Sequence, residues 1–367
     1  MLIADVSVET FRIPLDPPIE NGRYRYASVD LALVRVTTDD GIEGFGIGDG
    51  GVGLAGAPLM TDGTVASLRP ALLDRDPLRT EQIWEDLWVP KLIGRRGFTT
   101  RVISAVDLAL WDLKGRILGT SVARLLGQCH DRLPVYAAGG YYAPGKDVSD
   151  LVAEMVAHVE RGIGAVKLKV GAASIAEDVR RVSAVRDAIG EDVLLLVDAN
   201  NAYRRHEAVD LARRLEPLGV YWLEEPLMPD DYEGHAWVGQ RSSIPIALGE
   251  NEYTRYGFRD VIQHGAASIL NPDAQFVGGA TEFMKVGALA QAHDLPIAPH
   301  GSVDLHVHLA AALPNALILE YSASGGDRLW DAFFPERLPI RNGSVEPPQR
   351  PGFGIEPDEE YLATVRV

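Results

Sequence analysis

Lys167 and Lys169 stand two apart inside AVKLKV (165–170), a segment otherwise composed like a buried strand. Lysine is seldom buried, and an unpaired buried cation is costly. Alternate residues of a strand point the same way, so both ammonium groups share one face. Neighbouring like charges disfavour double protonation, which predicts a lowered pKa for at least one of them. A lysine brought toward neutrality can serve as a general base. The competing explanation is two lysines reaching for solvent at a strand end.

Six more ionisable residues close apolar runs further along: Asp198, Glu224, Glu250, Asp273, His300 and Glu320. Any one carboxylate at a strand end is equally an N-cap or a surface residue. The same placement in one run after another is not explained by capping. Asp198, Glu224 and Glu250, if they converge, repel one another unless a cation sits among them. Oxygen ligands without Cys or His suit Mg2+; salt bridges to Arg or Lys are the alternative. Asp273 precedes His300 by one run, so it can accept a hydrogen bond from the imidazole, orient the ring and raise its basicity. Glu320, kept neutral, would donate a hydrogen bond to a substrate carboxylate oxygen. Two bases, Lys169 and His300, on opposite sides of a divalent ion are equipped to remove the proton alpha to a carboxylate through an enediolate.

Such convergence needs a scaffold that gathers strand ends. From about residue 133 the sequence alternates strand-like and helix-like segments. The strand candidates are 135–139, 165–170, 193–198, 220–225, 244–250, 267–273, 295–300 and 316–320. Most are continuous apolar runs, as in a parallel sheet covered on both faces. A repeat of roughly 20–30 residues, eight times over, fits a (β/α)8 barrel, whose strand C-terminal ends form one catalytic mouth. An open doubly wound sheet is the alternative. Ahead of this region, residues 1–40 read as strands, and a loop rich in Pro, Arg and Tyr (14–28) divides them. Residues 64–127 read as helical, with Gly119 as a stop. GIEGFGIGDGGVGLAG (41–56) is Gly-rich, but no phosphate-binding helix follows it, so it makes a poor nucleotide loop.

Composition narrows the partners. The chain has 367 residues, 46% hydrophobic and 24% charged, with a formal net charge of −17. That charge argues against nucleic acid and anionic membranes as partners. It leaves an anionic substrate possible, because lysines or a metal invert the field inside one pocket. No apolar run has the length of a membrane span, and the N-terminus lacks the pattern of a secretory signal. Cys129 is the single cysteine, so no intrachain disulfide forms. A cytoplasmic setting is the expectation.

VKLKV, VDANNAY, WLEEPLMPDDYEGH, ALGEN, NPDAQFVGGATE, APHGS and the ILE at 318–320 together resemble the enolase superfamily, and within it the mandelate racemase subgroup. The resemblance spans nearly the whole chain. It implies an N-terminal α+β capping domain (1–127), completed by the C-terminal tail (330–367). This cap would sit over a modified TIM barrel, (β/α)7β, at 133–325. It implies Mg2+ on Asp198, Glu224 and Glu250. The bases would be Lys169 and the His300–Asp273 dyad, with Glu320 as the electrophilic carboxyl and Lys167 on the substrate carboxylate. Asn200 is carried over as a neighbour of the substrate. In this family the capping domain sets specificity, and Arg23, Tyr24, Arg25 and Tyr26 are the candidates here. An arginine there would hold a distal carboxylate and a tyrosine would bond hydroxyls. A homo-oligomer, an octamer among the options, is a further implication.

The expected reaction is dehydration of an acid sugar, an aldonate or aldarate, to a 2-keto-3-deoxy acid. The alternative is a racemase or epimerase of a 2-hydroxy acid, which uses the same two bases. The lactonising branch fits less well, because it typically has a lysine where this chain has Asp273. A non-catalytic metal-binding scaffold would leave the full set of acids and bases without a purpose.

Overall fold

Alternation in ADVSVETFRI and DLALVRVTT becomes an antiparallel sheet of β1 (Ile3–Glu20), β2 (Arg25–Thr38) and β3 (Glu43–Val52), in that order. The structure, a computed structural model, describes residues 1–52, 62–89, 91, 94–322 and 336–367. Helices α1 (Asp62–Leu72), α2 (Thr80–Leu87) and α3 (Phe98–Leu118) cover this sheet through Ile3, Val34, Trp84, Val106 and Leu110. The glycines of β3 have a steric reason. A Cβ on Gly46 would lie 2.0 Å from the Ala105 carbonyl oxygen, so α3 reaches the sheet only because Gly46 has no side chain. As far as Val52 the Gly-rich stretch is therefore a strand; residues 53–56 of it lie outside the described residues. Gly119 stops α3 in the left-handed conformation, with φ of 63°.

After the short helix α4 (Val122–Leu125) comes a parallel sheet. Its strands are β4 (Leu133–Gly139), β5 (Ala165–Lys169), β6 (Leu194–Asp198), β7 (Val220–Glu224), β8 (Ile246–Leu248), β9 (Ile269–Leu270) and β10 (Leu319–Ser322). Their order is β10-β4-β5-β6-β7-β8-β9. Ile297 bridges Leu270 on one side and Ala316 on the other, which carries the ring round to β10. Here the expected strands 267–273 and 295–300 shrink to one or two paired residues. Pro272, Pro296 and Pro299 lack the N–H that a longer ladder needs. The outer layer is α5 (Val148–Glu160), α6 (Ile175–Ile189), α7 (Arg205–Leu215), α8 (Tyr232–Gly239), α9 (Thr254–Gln263), α10 (Gly279–Gln291) and α11 (Val303–Ala310). The fold is thus the modified barrel with an N-terminal cap.

The inside of the ring is filled by Tyr136, Ala138, Leu196, Trp222, Ala247 and Ala298. These side chains form the floor beneath the strand ends. The cap is held to the barrel by buried polar bonds. Asp107 on α3 accepts from the Thr281 N–H at 2.9 Å and the Thr281 hydroxyl at 2.6 Å, at the start of α10. At the loop joining β1 and β2, Gly22 sits flat on the barrel. A Cβ there would lie 2.5 Å from the Ala199 carbonyl oxygen and 2.6 Å from that of Val170.

The C-terminal tail serves both parts of the molecule. Ser344–Val345 (β11) pairs antiparallel with β4 of the barrel. Beyond it, α12 (Glu359–Val365) leads to Val367, whose N–H bonds the Thr10 carbonyl of β1 at 2.9 Å. Residues 330–335 of that tail lie outside the described residues.

Candidate active site

Successive strands deliver the acids side by side. Lys169, Asp198 and Glu224 occupy adjacent rungs of β5, β6 and β7, and Glu250 follows β8. One carboxylate oxygen from each of Asp198, Glu224 and Glu250 lies within 4.8 Å of the others. All three residues are buried. Asn200 Oδ1 is buried without a hydrogen-bond partner, and Glu250 Oε2, which accepts no hydrogen bond, stands 3.3 Å from His300 Nε2. Orphaned buried acceptors are rare in folded proteins. A hard divalent cation among these carboxylates would offset their repulsion and add to the single His300 contact of Glu250 Oε2, so the donor set fits Mg2+.

The lysines lie against this row. Lys167 is fully buried and donates to Glu224 Oε1 at 2.9 Å, Glu224 Oε2 at 3.1 Å and Glu320 Oε2 at 3.3 Å. Lys169 donates to Asp198 Oδ2, and its ammonium stands 5.2 Å from the centre of the Tyr141 ring. The expected mutual lowering of the two pKa values is reversed here. Burial pulls each ammonium down, but the adjacent carboxylates outweigh both burial and the other lysine. Asp198 leads for Lys169, and Glu224 and Glu320 lead for Lys167, so both are raised. The sequence reading set lysine against lysine; in space each lysine is nearer to acids.

The acids respond in turn. Burial alone would raise Asp198, yet Lys169 and Lys167 hold it below the usual carboxylate range. Burial, partly offset by Lys167, pushes Glu224 up to about 7. The expectation of a neutral Glu320 is also reversed. Burial opposes its ionisation, but Lys167, His300, Lys169 and the Gly301 N–H keep its carboxyl well below the usual range. Glu320 Oε2 accepts from Gly301 N–H at 3.1 Å and from the Tyr136 hydroxyl at 3.0 Å. Its hydrogen-bond partners are all donors, so the charged form is favoured.

His300 closes the far end. Its Nδ1 lies 2.9 Å from Asp273 Oδ2, and its Nε2 lies 3.3 Å from Glu250 Oε2. Burial lowers this imidazole, but Glu250 and Asp273 together push it up to about 10. Phe276 stands beside it, with ring centres 6.3 Å apart.

Of the four cap-loop candidates, the structure brings one against this cluster. Tyr26 is half-buried and accepts from Asn21 Nδ2 at 2.7 Å. Burial raises its hydroxyl pKa, and Tyr141, Glu250 and Asp198 add to the rise. Arg23, Tyr24 and Arg25 are exposed. Asn21 Oδ1 accepts from the backbone N–H groups of Arg23 and Tyr24, at 2.9 and 2.7 Å. This turn directs their side chains outward. Arg23 Nη1 reaches the Asn201 carbonyl at 3.4 Å. Asn200 does lie in the cluster: its N–H bonds Asp198 Oδ1 at 2.9 Å and its Nδ2 bonds Glu250 Oε1 at 3.3 Å.

Several site neighbours carried no signal in the sequence. Tyr136 and Trp222 fall inside the apolar runs 135–139 and 220–225, and Tyr141 lies just beyond the first; yet Trp222 Nε1 donates to Glu224 Oε2 at 3.0 Å. Glu225 follows a metal-type acid and points the other way. It accepts from Asn201 at 2.7 Å and from Asn251 at 2.6 Å. His306 lies on α11. Its Nε2 accepts from the Ala274 N–H at 2.9 Å, and its Nδ1 bonds the Gly301 carbonyl at 2.8 Å. It therefore braces the loops that carry Asp273 and His300. Among the described residues, no helix is long and apolar enough to cross a membrane.

The chain is similar to known proteins along its whole length. The model of the mandelate racemase / muconate lactonizing enzyme N-terminal domain matches residues 3–127, and the enolase C-terminal domain-like model matches 150–361. The chain is 36% identical over 373 residues to a 3,6-anhydro-alpha-L-galactonate cycloisomerase of Streptomyces coelicolor, covering 100% of both. Its fold superposes with a TM-score of 0.93 on a Streptomyces coelicolor racemase solved with bound magnesium, at 35% identity and 100% of both chains. The TM-score is 0.90 for an L-talarate dehydratase from Polaromonas sp. JS666 in complex with Mg and L-glucarate. There the identity is 36%, covering 100% of this chain and 97% of that one. This chain belongs to the mandelate racemase / muconate lactonizing enzyme family of the enolase superfamily.

Proposed function

We propose that this enzyme, with Mg2+ as cofactor, removes the proton alpha to the carboxylate of an acid sugar and expels the β-hydroxyl, forming a 2-keto-3-deoxy acid. One observation carries the reading. Lys169 and His300 reach opposite ends of the same row of carboxylates, Lys169 at Asp198 and His300 at Glu250. A substrate carboxylate drawn to that row has its α-carbon between two proton-transfer groups. Mg2+ on Asp198, Glu224 and Glu250 would supply the positive charge that makes the α-proton acidic.

The chain's own residues do the rest. Lys169 takes the proton on its face once the charge of Asp198 is engaged elsewhere, because Lys167 then works against its protonation. His300 serves the other face. When it carries a proton, held by Asp273, it gives that proton to the departing β-oxygen. Lys167 balances the charge that develops on the substrate carboxylate. Glu320 holds Gly301 and Lys167 in place. Tyr26 closes the cluster from the cap and offers a hydroxyl to a polyhydroxy substrate.

A second reading has support of its own. The relative aligned over the full length of both chains is named a cycloisomerase. Breaking a ring C–O bond needs the same α-proton and the same acid, but the oxygen stays on the product. The deciding experiment incubates the enzyme and Mg2+ with a library of aldonates, aldarates, their lactones and anhydro forms. A keto acid lighter than its substrate by one water supports dehydration. A product of unchanged mass with a new carbonyl supports ring opening, and inversion without a carbonyl identifies an epimerase. Failure of every compound to exchange its α-proton with D2O would end the proposal.

A further inference from the structure

Beneath Lys169 lies a buried ion pair with no part in the chemistry above. Arg181 and Asp178 lie on α6, with side chains 7% and 0% exposed. Buried ion pairs are weak stabilisers, so the bonds this pair makes deserve an explanation in function. The Arg181 fork ends on two backbone carbonyls. Nη1 donates to the Lys169 carbonyl at 2.9 Å and Nη2 to the Gly140 carbonyl at 3.0 Å.

Those carbonyls stand where the β4–β5 ladder stops. Its last rung pairs Gly139 with Leu168. The guanidinium therefore spans the two strand ends in place of the next rung. One strand end carries Lys169, and the other leads into Tyr141, whose ring faces the Lys169 ammonium.

Asp178 fixes the fork from behind. It accepts from Arg181 at 3.3 Å, Gly171 N–H at 2.9 Å, Tyr203 hydroxyl at 3.0 Å and the Tyr142 hydroxyl. The Tyr142 ring lies 3.7 Å from the guanidinium carbon. Tyr142 is also paired with the cap, exchanging two backbone hydrogen bonds with Glu20 at 2.8 and 2.9 Å. The pair thus ties three things together: the backbone of the base, the aromatic wall beside it and the cap strand that leads to Tyr26.

We propose that Arg181, set by Asp178 and Tyr142, is a positioning residue that fixes Lys169 for proton transfer on its face of the substrate. The inference rests on the assignment of Lys169 and His300 to opposite faces. Proton transfer is sensitive to small misplacements of the base, so loosening one strand end should harm one face only.

The test is Arg181→Lys, which keeps a charge for Asp178 but cannot span both carbonyls with a rigid fork. It is placed in two backgrounds and read by Mg2+-dependent α-proton exchange with D2O, using pairs of acid sugars epimeric at C2. In His300→Asn, where only Lys169 works, R181K should lower the exchange rate at saturation by about tenfold or more, with KM changed by about twofold or less. In Lys169→Met, where only His300 works, exchange should stay within about twofold. Equal losses in both backgrounds, or no loss in either, overturns the proposal. Tyr142→Phe, which removes one hydroxyl and keeps the ring, repeats the test more gently if R181K folds poorly. Amide hydrogen exchange gives a readout independent of turnover. R181K should speed exchange in 139–142 and 168–171 while leaving β7 and β8 protected. Unchanged protection there counts against the clamp, even if no acid sugar is turned over and the functional assignment itself has failed.

Discussion

Lys169 and Asp198 face each other across one rung of the β5–β6 ladder, and the Lys169 ammonium is bonded to a carboxylate of the acidic triad. Asp198 therefore has two claimants, the lysine and a divalent cation. Asp198, if engaged by a divalent cation, would hold Lys169 protonated less strongly. In His300→Asn, where only Lys169 turns over, the alkaline-rising limb of α-proton exchange should shift toward lower pH by about one unit or more as Mg2+ approaches saturation. A midpoint that does not depend on Mg2+ contradicts this competition.

Removing one partner of that pair strands the other. Asp198→Asn leaves the buried Lys169 ammonium without its bonded carboxylate and should destabilise the metal-free protein by about 3–5 kcal/mol. The double variant Asp198→Asn/Lys169→Met should be less destabilised than the sum of its parts, as read by urea denaturation. Strict additivity would mean the two side chains do not depend on each other.

Trp222 donates to Glu224, which makes the indole a reporter of the triad. Mg2+ binding should change intrinsic fluorescence in the wild type and not in Trp222→Phe. Glu224 is pushed up to about 7 and must lose its proton to bind the ion. Mg2+ affinity should then fall by about tenfold per pH unit below pH 7, with protons released on binding. Affinity that is flat between pH 5 and about 7 contradicts the assignment of Glu224 as a ligand.

His300 gives a stability signature. Its folded pKa is pushed up to about 10, above its ordinary value of 6.5. Its contribution is therefore full below about pH 6.5 and is lost as pH rises toward 10. In EDTA, the melting temperature of the wild type should fall across that window. His300→Asn should show a shallower fall, and parallel curves argue against the pairing with Glu250 and Asp273.

For catalysis, His300→Asn should abolish keto-acid formation by about a thousandfold or more while leaving Lys169-dependent exchange for acid sugars of one α-configuration. Full turnover by this variant would falsify the role given to the His300–Asp273 pair.

Much of the site was legible because strand ends converge. Once the apolar runs are read as parallel strands, Asp198, Glu224, Glu250, Asp273, His300 and Glu320 must gather at one mouth. What sequence could not give is the sign of each local field. The titration of Lys169 depends on whether Asp198 or Lys167 lies nearer, and that is fixed by side-chain geometry across strands. Tyr136 and Trp222 escaped notice because an aromatic residue in a strand looks like core whether or not its polar atom is used, and Tyr141 lies past the end of β4, where no pattern marks it. Arg181 and Asp178 have the three-residue spacing of an ordinary exposed helix pair. Only the packing of α6 against β5 shows that they are buried. The cap loop gave residue types without directions, because the Asn21 turn decides which side chains face in.

Gly22 lies pressed between the Ala199 and Val170 carbonyls, next to the strand ends that carry Asp198 and Lys169. This flat seat sets a rule for anyone redesigning substrate choice. Arg23 through Tyr26 can be randomised as a library, but position 22 has no room for diversity. A clone carrying even alanine there would lift the whole loop, and a screen would mistake lost docking for lost recognition.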